Sequence, residues 1–269
     1  SLWERLRVLG IEWRHLGFAA NPRNVLLPFP SRSGKLILRG ALVERGFAWD
    51  RIEALCAWLA EGAVLLNSVK CRALARRIAS EAAHRGLPVY AVLTRSLEAA
   101  FALDAVAAYA RAVFCGSPDS SFLTGIAATG SIDRAADGAE VLGSCTGRGP
   151  AFLSLGADGV IVADTDTMDL VHVRCRKGLR RPIQQVVDVN PSCVNGCGDV
   201  FAQAATVRLM GVGPWSGAAG GPLAVRAAVD GCLAAVRHLG FEGRLSAGDF
   251  DCVRLRPWRL GNLGASGVA

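Results

Sequence analysis

The run Asn195-Gly196-Cys197-Gly198-Asp199 leads directly into the amphipathic stretch Val200-Phe201-Ala202. Glycines let a backbone turn tightly and come close to a ligand. The first N–H groups of the helix that follows have no helical partner, and with the helix dipole they favour an anion. The same dipole favours a carboxylate in the first turn. Placed there, Asp199 could take the proton of a substrate hydroxyl while those N–H groups hold a migrating phosphoryl group. The plainer reading of the same residues is a helix cap preceded by a turn.

Two upstream segments bear on that choice. Ser154-Leu155-Gly156-Ala157-Asp158-Gly159-Val160 stands at the end of an apolar run, with two glycines three apart. Alone, such a pair reads as a turn. Further upstream, Cys115-Gly116-Ser117-Pro118-Asp119 precedes Leu123-Thr124-Gly125. Serine followed by proline is a helix start, and the glycine is its stop.

Taken together, the order and spacing of the three segments resemble the PfkB carbohydrate kinase (ribokinase-like) family. That family has a strand ending in T-L-G-x-x-G, then a hairpin, then D-x-x-G-A-G-D opening a helix. Here Ser154 stands for the Thr and Cys197 for the Ala, and the stretch from Asp188 to Asn195 is longer and carries Pro191. The family's N-x-x-E motif corresponds to Gly116 and Asp119. The resemblance implies ATP and magnesium as cofactors, a sugar or nucleoside as substrate, and Asp199 as the base acting on its hydroxymethyl group. It further implies an anion hole at Gly196, Cys197 and Gly198, and nucleotide contacts from Ser154, Gly156, Gly159 and Asn195. Asp119 would hold a magnesium-bound water; otherwise it is an early-helix acid stabilised by the dipole. The likeness runs from about Leu2 to Leu239. Family members carry several tens of residues before this point, including a substrate-binding Asp and a Gly-Gly motif, so the expectation is one ribokinase-like domain over residues 1–260, incomplete at its start, with a flexible tail from Gly261 on.

To position those turns the chain needs alternating strands and helices. Ser1 and Glu4 form a capping box, and Val25 to Leu38 reads as a hairpin around Pro28, Pro30 and Gly34. A helix is expected from Asp50 to about Glu61, then a strand at Ala63 to Asn67 and a helix from Val69 to Arg85 stopped by Gly86. Strands follow at Leu87 to Leu93 and Arg111 to Cys115, flanking an Ala-rich helix at Leu97 to Ala110. Beyond a helix at Ile132 to Leu142, strands are expected at Ala151 to Leu155, Val160 to Asp164, Leu170 to Arg174 and Val186 to Val189, and helices at Asp199 to Met210 and Leu223 to Leu239. Such repetition predicts a three-layer α/β fold: a mostly parallel sheet, helices on both faces, and an antiparallel edge.

Composition narrows the class. The chain has 269 residues, 51% of them hydrophobic, which supplies a core and excludes disorder for its bulk. The longest apolar stretch, Ala99 to Cys115, is broken by Asp104 and Arg111 and is too short for a bilayer. The net charge of +7 suits anionic partners such as nucleotides, phosphosugars or RNA. Nine cysteines without a C-x-x-C pair predict a reducing, intracellular compartment, cytoplasmic or organellar, and no zinc. Arg174, Arg176, Lys177, Arg180 and Arg181 read as a basic loop leaving the hairpin, either solvated or facing nucleotide phosphates or RNA. Arg254, Arg256 and Arg259 form a second basic segment. The four histidines show no ligand spacing and read as surface or packing residues. Two functions are therefore expected to compete. The kept Asp199 and glycines favour a small-molecule kinase, alone or as a homodimer. The altered Gly116 and Asp119 and the basic run favour a PfkB-like subunit that no longer catalyses and serves a larger protein or RNA assembly.

Overall fold

The structure is a computed structural model, and it describes residues 25–28, 35–38, 63–67, 72–93, 106, 108–126, 130–146, 149–211 and 222–259. The expected capping box at Ser1, the Asp50 to Glu61 helix, most of the Leu97 to Ala110 helix and the tail from Gly261 lie outside those residues. The chain divides into two compact units, Ser1–Ala60 and Glu61–Ala269. In the first, β1 (Val25–Pro28) and β2 (Lys35–Leu38) form the expected antiparallel hairpin.

The second unit is built on a seven-stranded sheet whose strands follow one another in chain order. Strands β3 (Val64–Asn67), β4 (Val89–Leu93), β5 (Ala110–Gly116) and β6 (Ala151–Ser154) are parallel. Strands β7 (Val160–Asp164), β8 (Asp169–Cys175) and β9 (Phe250–Pro257) continue it antiparallel. In β4 through β8 three residues in four are buried, as a sheet covered on both faces requires.

Six described helices accompany the sheet. In α1 (Arg72–His84) the buried positions Ala75, Ile78, Ala79 and Ala82 fall on one stripe, with Arg76 and Arg77 outside. Helix α2 (Ser117–Thr124) has Pro118 in its first turn and ends at Gly125, which takes a left-handed conformation. Helix α3 (Ile132–Thr146) lies on the sheet face of Ala163, where Gly143 makes room for the ring of Trp258. After α4 (Lys177–Val189) come α5 (Cys197–Leu209) and α6 (Leu223–His238), packed together on the opposite face. Their core residues Phe201, Ala202, Ala205, Ala228 and Leu233 share one cluster with Phe114, Phe152, Val162 and Val173 of the sheet. Gly231 of α6 faces the Phe201 ring, which stands where a side chain would be.

Three expectations are corrected. Val186 to Val189 is not a strand but the last turn of α4. Leu179, Ile183 and Val186 are spaced four and three apart, and the helical period of that stripe outweighs the β-branched run. The basic residues Arg174 to Arg181 are not a loop: Arg174 ends within β8, and Lys177, Arg180 and Arg181 lie in α4. The sheet does not close at the expected strands either, since Arg254 and Arg256 belong to β9, an edge strand hidden by its charges.

Among the described residues no helix is long and apolar enough to cross a membrane. None of the described cysteines is in a disulfide. Burial pushes the Cys175 thiol up to about 11 and drives Cys115 and Cys232 higher still.

Candidate functional site

The parallel strands β5 and β6 end side by side, with Gly116 paired to Ser154. Two separate turns begin there. One is the start of α2, where Asp119 lies in the first turn. Its Oδ2 lies 3.4 Å from the point where a Cβ on Gly116 would stand, and Ser154 Oγ is 3.9 Å from the same point. Ser154 Oγ donates to the Cys115 carbonyl at 3.4 Å. The nearby Asp119 carboxylate adds to burial in pushing the Cys115 thiol up. The structure thus brings Gly116, Asp119 and Ser154 into one corner.

The other turn follows β6 directly. Gly156 to Asp158 make a single 3-10 turn, closed by the Leu155 N–H on the Gly159 carbonyl at 2.8 Å. Gly159 has φ +93, and a Cβ there would come within 2.2 Å of the Val173 carbonyl oxygen. No other residue fits a backbone that passes so close to β8. Two side chains grip Asp158. The buried His172 donates its Nε2–H to the Asp158 carbonyl at 2.6 Å, and the Arg180 guanidinium pairs with the Asp158 carboxylate.

The third segment is the start of α5. After a short 3-10 turn at Pro191 to Val194, Asn195 is extended and Gly196 takes φ +83, ψ −7 as the N-cap. Cys197, Gly198 and Asp199 form the first helical turn, with Asp199 exposed. Nothing lies within 4 Å of a Cβ placed on Gly198 or on Gly156, so both turns border open space. The Cys197 thiol points back toward the carbonyls of Cys193 and Ala235.

An aromatic triad links the third segment to the other two. Phe201, two residues beyond Asp199, meets Phe114 and Phe152 edge to face at 6.1 and 6.2 Å, and those two rings stack at 4.9 Å. Phe114 and Phe152 lie two residues before Gly116 and Ser154 and on the same sheet face. The first turn of α5 is therefore anchored one pleat below the strand ends that carry the other two segments. In α/β sheets the carboxyl ends of parallel strands are where ligands bind.

Several of the remaining basic candidates are in ion pairs, at the surface for Arg176, Arg180 and Arg254 and largely covered for Arg256. Arg176 pairs with Asp251 and Arg180 with Asp158. Arg254 pairs with Asp169, and Arg256 with Asp137 and Glu140, at the far end of the sheet. Sequence reasoning missed the contacts of Phe201 and His172. An isolated histidine carries no spacing, and an aromatic on an amphipathic helix reads as core.

His172 has a consequence for stability. Burial, and then the charge of Arg174, holds its imidazole below the ordinary value of 6.5. A depressed value means that the unfolded chain takes up the proton first. The neutral ring's stabilisation is whole above about pH 6.5 and is lost as pH falls through the lower folded value. A His172→Gln chain keeps an N–H donor and does not titrate, so its urea midpoint should fall less between neutral pH and roughly pH 5 than the unaltered chain's. Parallel losses in the two would show that His172 does not set this dependence.

No family model and no curated protein matches the chain. Solved structures do. Ribokinase from Giardia lamblia superposes with a TM-score of 0.61 at 14% identity, over 92% of this chain and 74% of that one. The tetrameric inhibited form of phosphofructokinase-2 from Escherichia coli gives 0.55 at 14% identity, over 89% and 75%. Arabidopsis thaliana ribokinase complexed with ribose and ATP gives 0.52 at 18% identity, over 78% and 60%. The chain thus spans 60–75% of these three proteins' lengths. At such identities the likeness is one of fold, and it agrees with the strand order, the antiparallel edge and the two helical layers: this chain has the ribokinase-like α/β fold.

Proposed function

We propose that the chain is an ATP-dependent phosphotransferase acting on a hydroxymethyl group of a sugar or nucleoside. The observation that carries this reading is the start of α5. A left-handed glycine opens a 13-residue helix whose first turn holds an exposed carboxylate, beside the strand ends that carry Asp119 and Ser154. Asp199 accepts the proton of the attacking hydroxyl as the oxygen bonds to phosphorus. The N–H groups of Gly196, Cys197 and Gly198 hold the transferring phosphoryl group as its charge spreads over the equatorial oxygens. Gly156, Gly159, Ser154 and Asn195 border the nucleotide.

Magnesium fits the donor set. It binds through one or two carboxylates, waters and substrate phosphates, and Asp119 offers the hard oxygen at the phosphate end of the site. When bound, the ion neutralises phosphate charge. The chain's own contribution is to hold Asp119 against Gly116 at the end of β5.

Magnesium-ATP should raise the melting temperature by mass action. At about one hundred times its Kd the gain is ~2.7 kcal/mol, or about 5–10 °C for a domain of this size. No shift at millimolar nucleotide would remove the kinase reading. A subunit without catalysis would then stand, with Gly116 and Asp119 in place of the family's Asn and Glu as its supporting observation. For an RNA-facing role Arg256 is taken up by the buried Glu140, whereas Arg176, Arg180 and Arg254 stand in exposed ion pairs.

A further inference from the structure

The peptide between Asn195 and Gly196 is gripped from outside its own segment. His238, in the last turn of α6, reaches the Asn195 carbonyl oxygen with Nε2 at 2.8 Å. A carbonyl carries no proton, so Nε2–H is the donor. The same nitrogen stands 3.3 Å from the point where a Cβ on Gly196 would lie. A trans peptide is planar, with its C=O and N–H pointing in opposite directions. A bond that fixes the Asn195 oxygen toward α6 therefore fixes the Gly196 N–H away from it. Helix α6 is a firm base for this, since Val229, Cys232, Leu233 and Val236 are buried in the core. The Gly156–Gly159 turn is held in the same manner, with His172 donating Nε2–H to the Asp158 carbonyl. Each glycine turn of the site thus has one backbone carbonyl held by a histidine from a different element.

We infer that His238 is a positioning residue of the anion hole: it orients the Gly196 N–H toward the transferring phosphoryl group by holding the other side of the same peptide. This rests on the phosphotransferase reading for its ligand, but not for its geometry. His238 touches neither nucleotide nor substrate in this role.

The test uses the full chain with His238→Leu and His238→Gln. Leucine removes the donor from an exposed position, and glutamine returns an N–H at about the same reach. Two amides report on the turn: Asn195 N–H on the Ser192 carbonyl, and Val200 N–H on the Gly196 carbonyl. In His238→Leu, hydrogen exchange at both should quicken about tenfold, with melting temperature little changed, and His238→Gln should restore it. Magnesium-ATP should bind His238→Leu about fivefold more weakly, the effect of one neutral hydrogen bond, and His238→Gln nearly as well as the unaltered chain. Unchanged exchange in the leucine variant would overturn the inference, and so would loosened amides with unchanged nucleotide affinity. If the unaltered chain itself ignores magnesium-ATP, the phosphotransferase reading fails separately, and the exchange rates still decide whether His238 holds the turn.

Discussion

Replacing Asp199 with Asn is expected to lower kcat by about 10²-fold or more, with nucleotide affinity little changed. The substitution keeps the size and hydrogen-bonding outline of the side chain and removes its ability to accept a proton. Asp199 lies in the first turn of a helix, where the dipole stabilises its charge, so the variant also loses a small dipole contribution, roughly 0.3–1 kcal/mol. That loss is too small to unfold the chain. The outcome therefore separates the two roles that the residue types alone allow. A general base gives a large fall in kcat at nearly unchanged melting temperature. A helix cap gives a small fall in melting temperature at unchanged kcat. The assay calls for a panel of sugars and nucleosides with a free hydroxymethyl group, scored by ADP release in the unaltered chain first. Full activity in Asp199→Asn would make the carboxylate a cap, and the base would have to be sought elsewhere at the strand ends.

Much of the sheet was legible because its strands are short apolar runs bounded by turn residues. Val89–Leu93, Ala110–Gly116 and Val160–Asp164 are buried over most of their length, and apolar residues from Ala91 to Tyr90 and Phe114 fill both faces there. The glycine turns were legible for a related reason. Gly159 and Gly196 take positive φ, and the residue type itself is the signal. Two elements failed where a local pattern competed with a longer one. The Val186 to Val189 run is strand-like over four residues and helical over the eight from Leu179. In β9 the alternation of Arg254 and Arg256 with Val253 and Leu255 is that of a strand, but its charges read as a basic segment. The holding contacts were not legible at all. His238 lies 43 residues from Asn195, and His172 lies 14 from Asp158. Only the antiparallel packing of α5 on α6 and the β7–β8 hairpin bring them together. A turn announces itself in the chain, but the group that aims it does not.

The largest stability effect is expected at Arg256, in the second basic segment. Glu140 is 2% exposed, in the middle of α3, and both of its oxygens are occupied. Arg256 Nη1 donates to Oε2 at 2.5 Å, and the Arg259 N–H donates to Oε1. The second Arg256 nitrogen reaches Asp137, and Trp258 donates its indole N–H to the Asp169 carbonyl at 3.3 Å. Strand β9 is thereby fastened across the end of the sheet to α3. Arg256→Met removes the cation and leaves a carboxylate in the interior, which costs about 3–5 kcal/mol. The urea midpoint should fall accordingly, with the slope of the transition unchanged. Asp137→Ala, at a half-exposed position, should cost less than about 1 kcal/mol. The double variant Arg256→Met, Glu140→Leu should recover most of the loss, because no buried charge is left uncompensated. A neutral Arg256→Met would mean that β9 does not hold Glu140 in solution. Arg256 would then join the exposed Arg254 as open to an anionic partner, the alternative that the observed pairing of Arg256 with the buried Glu140 argues against.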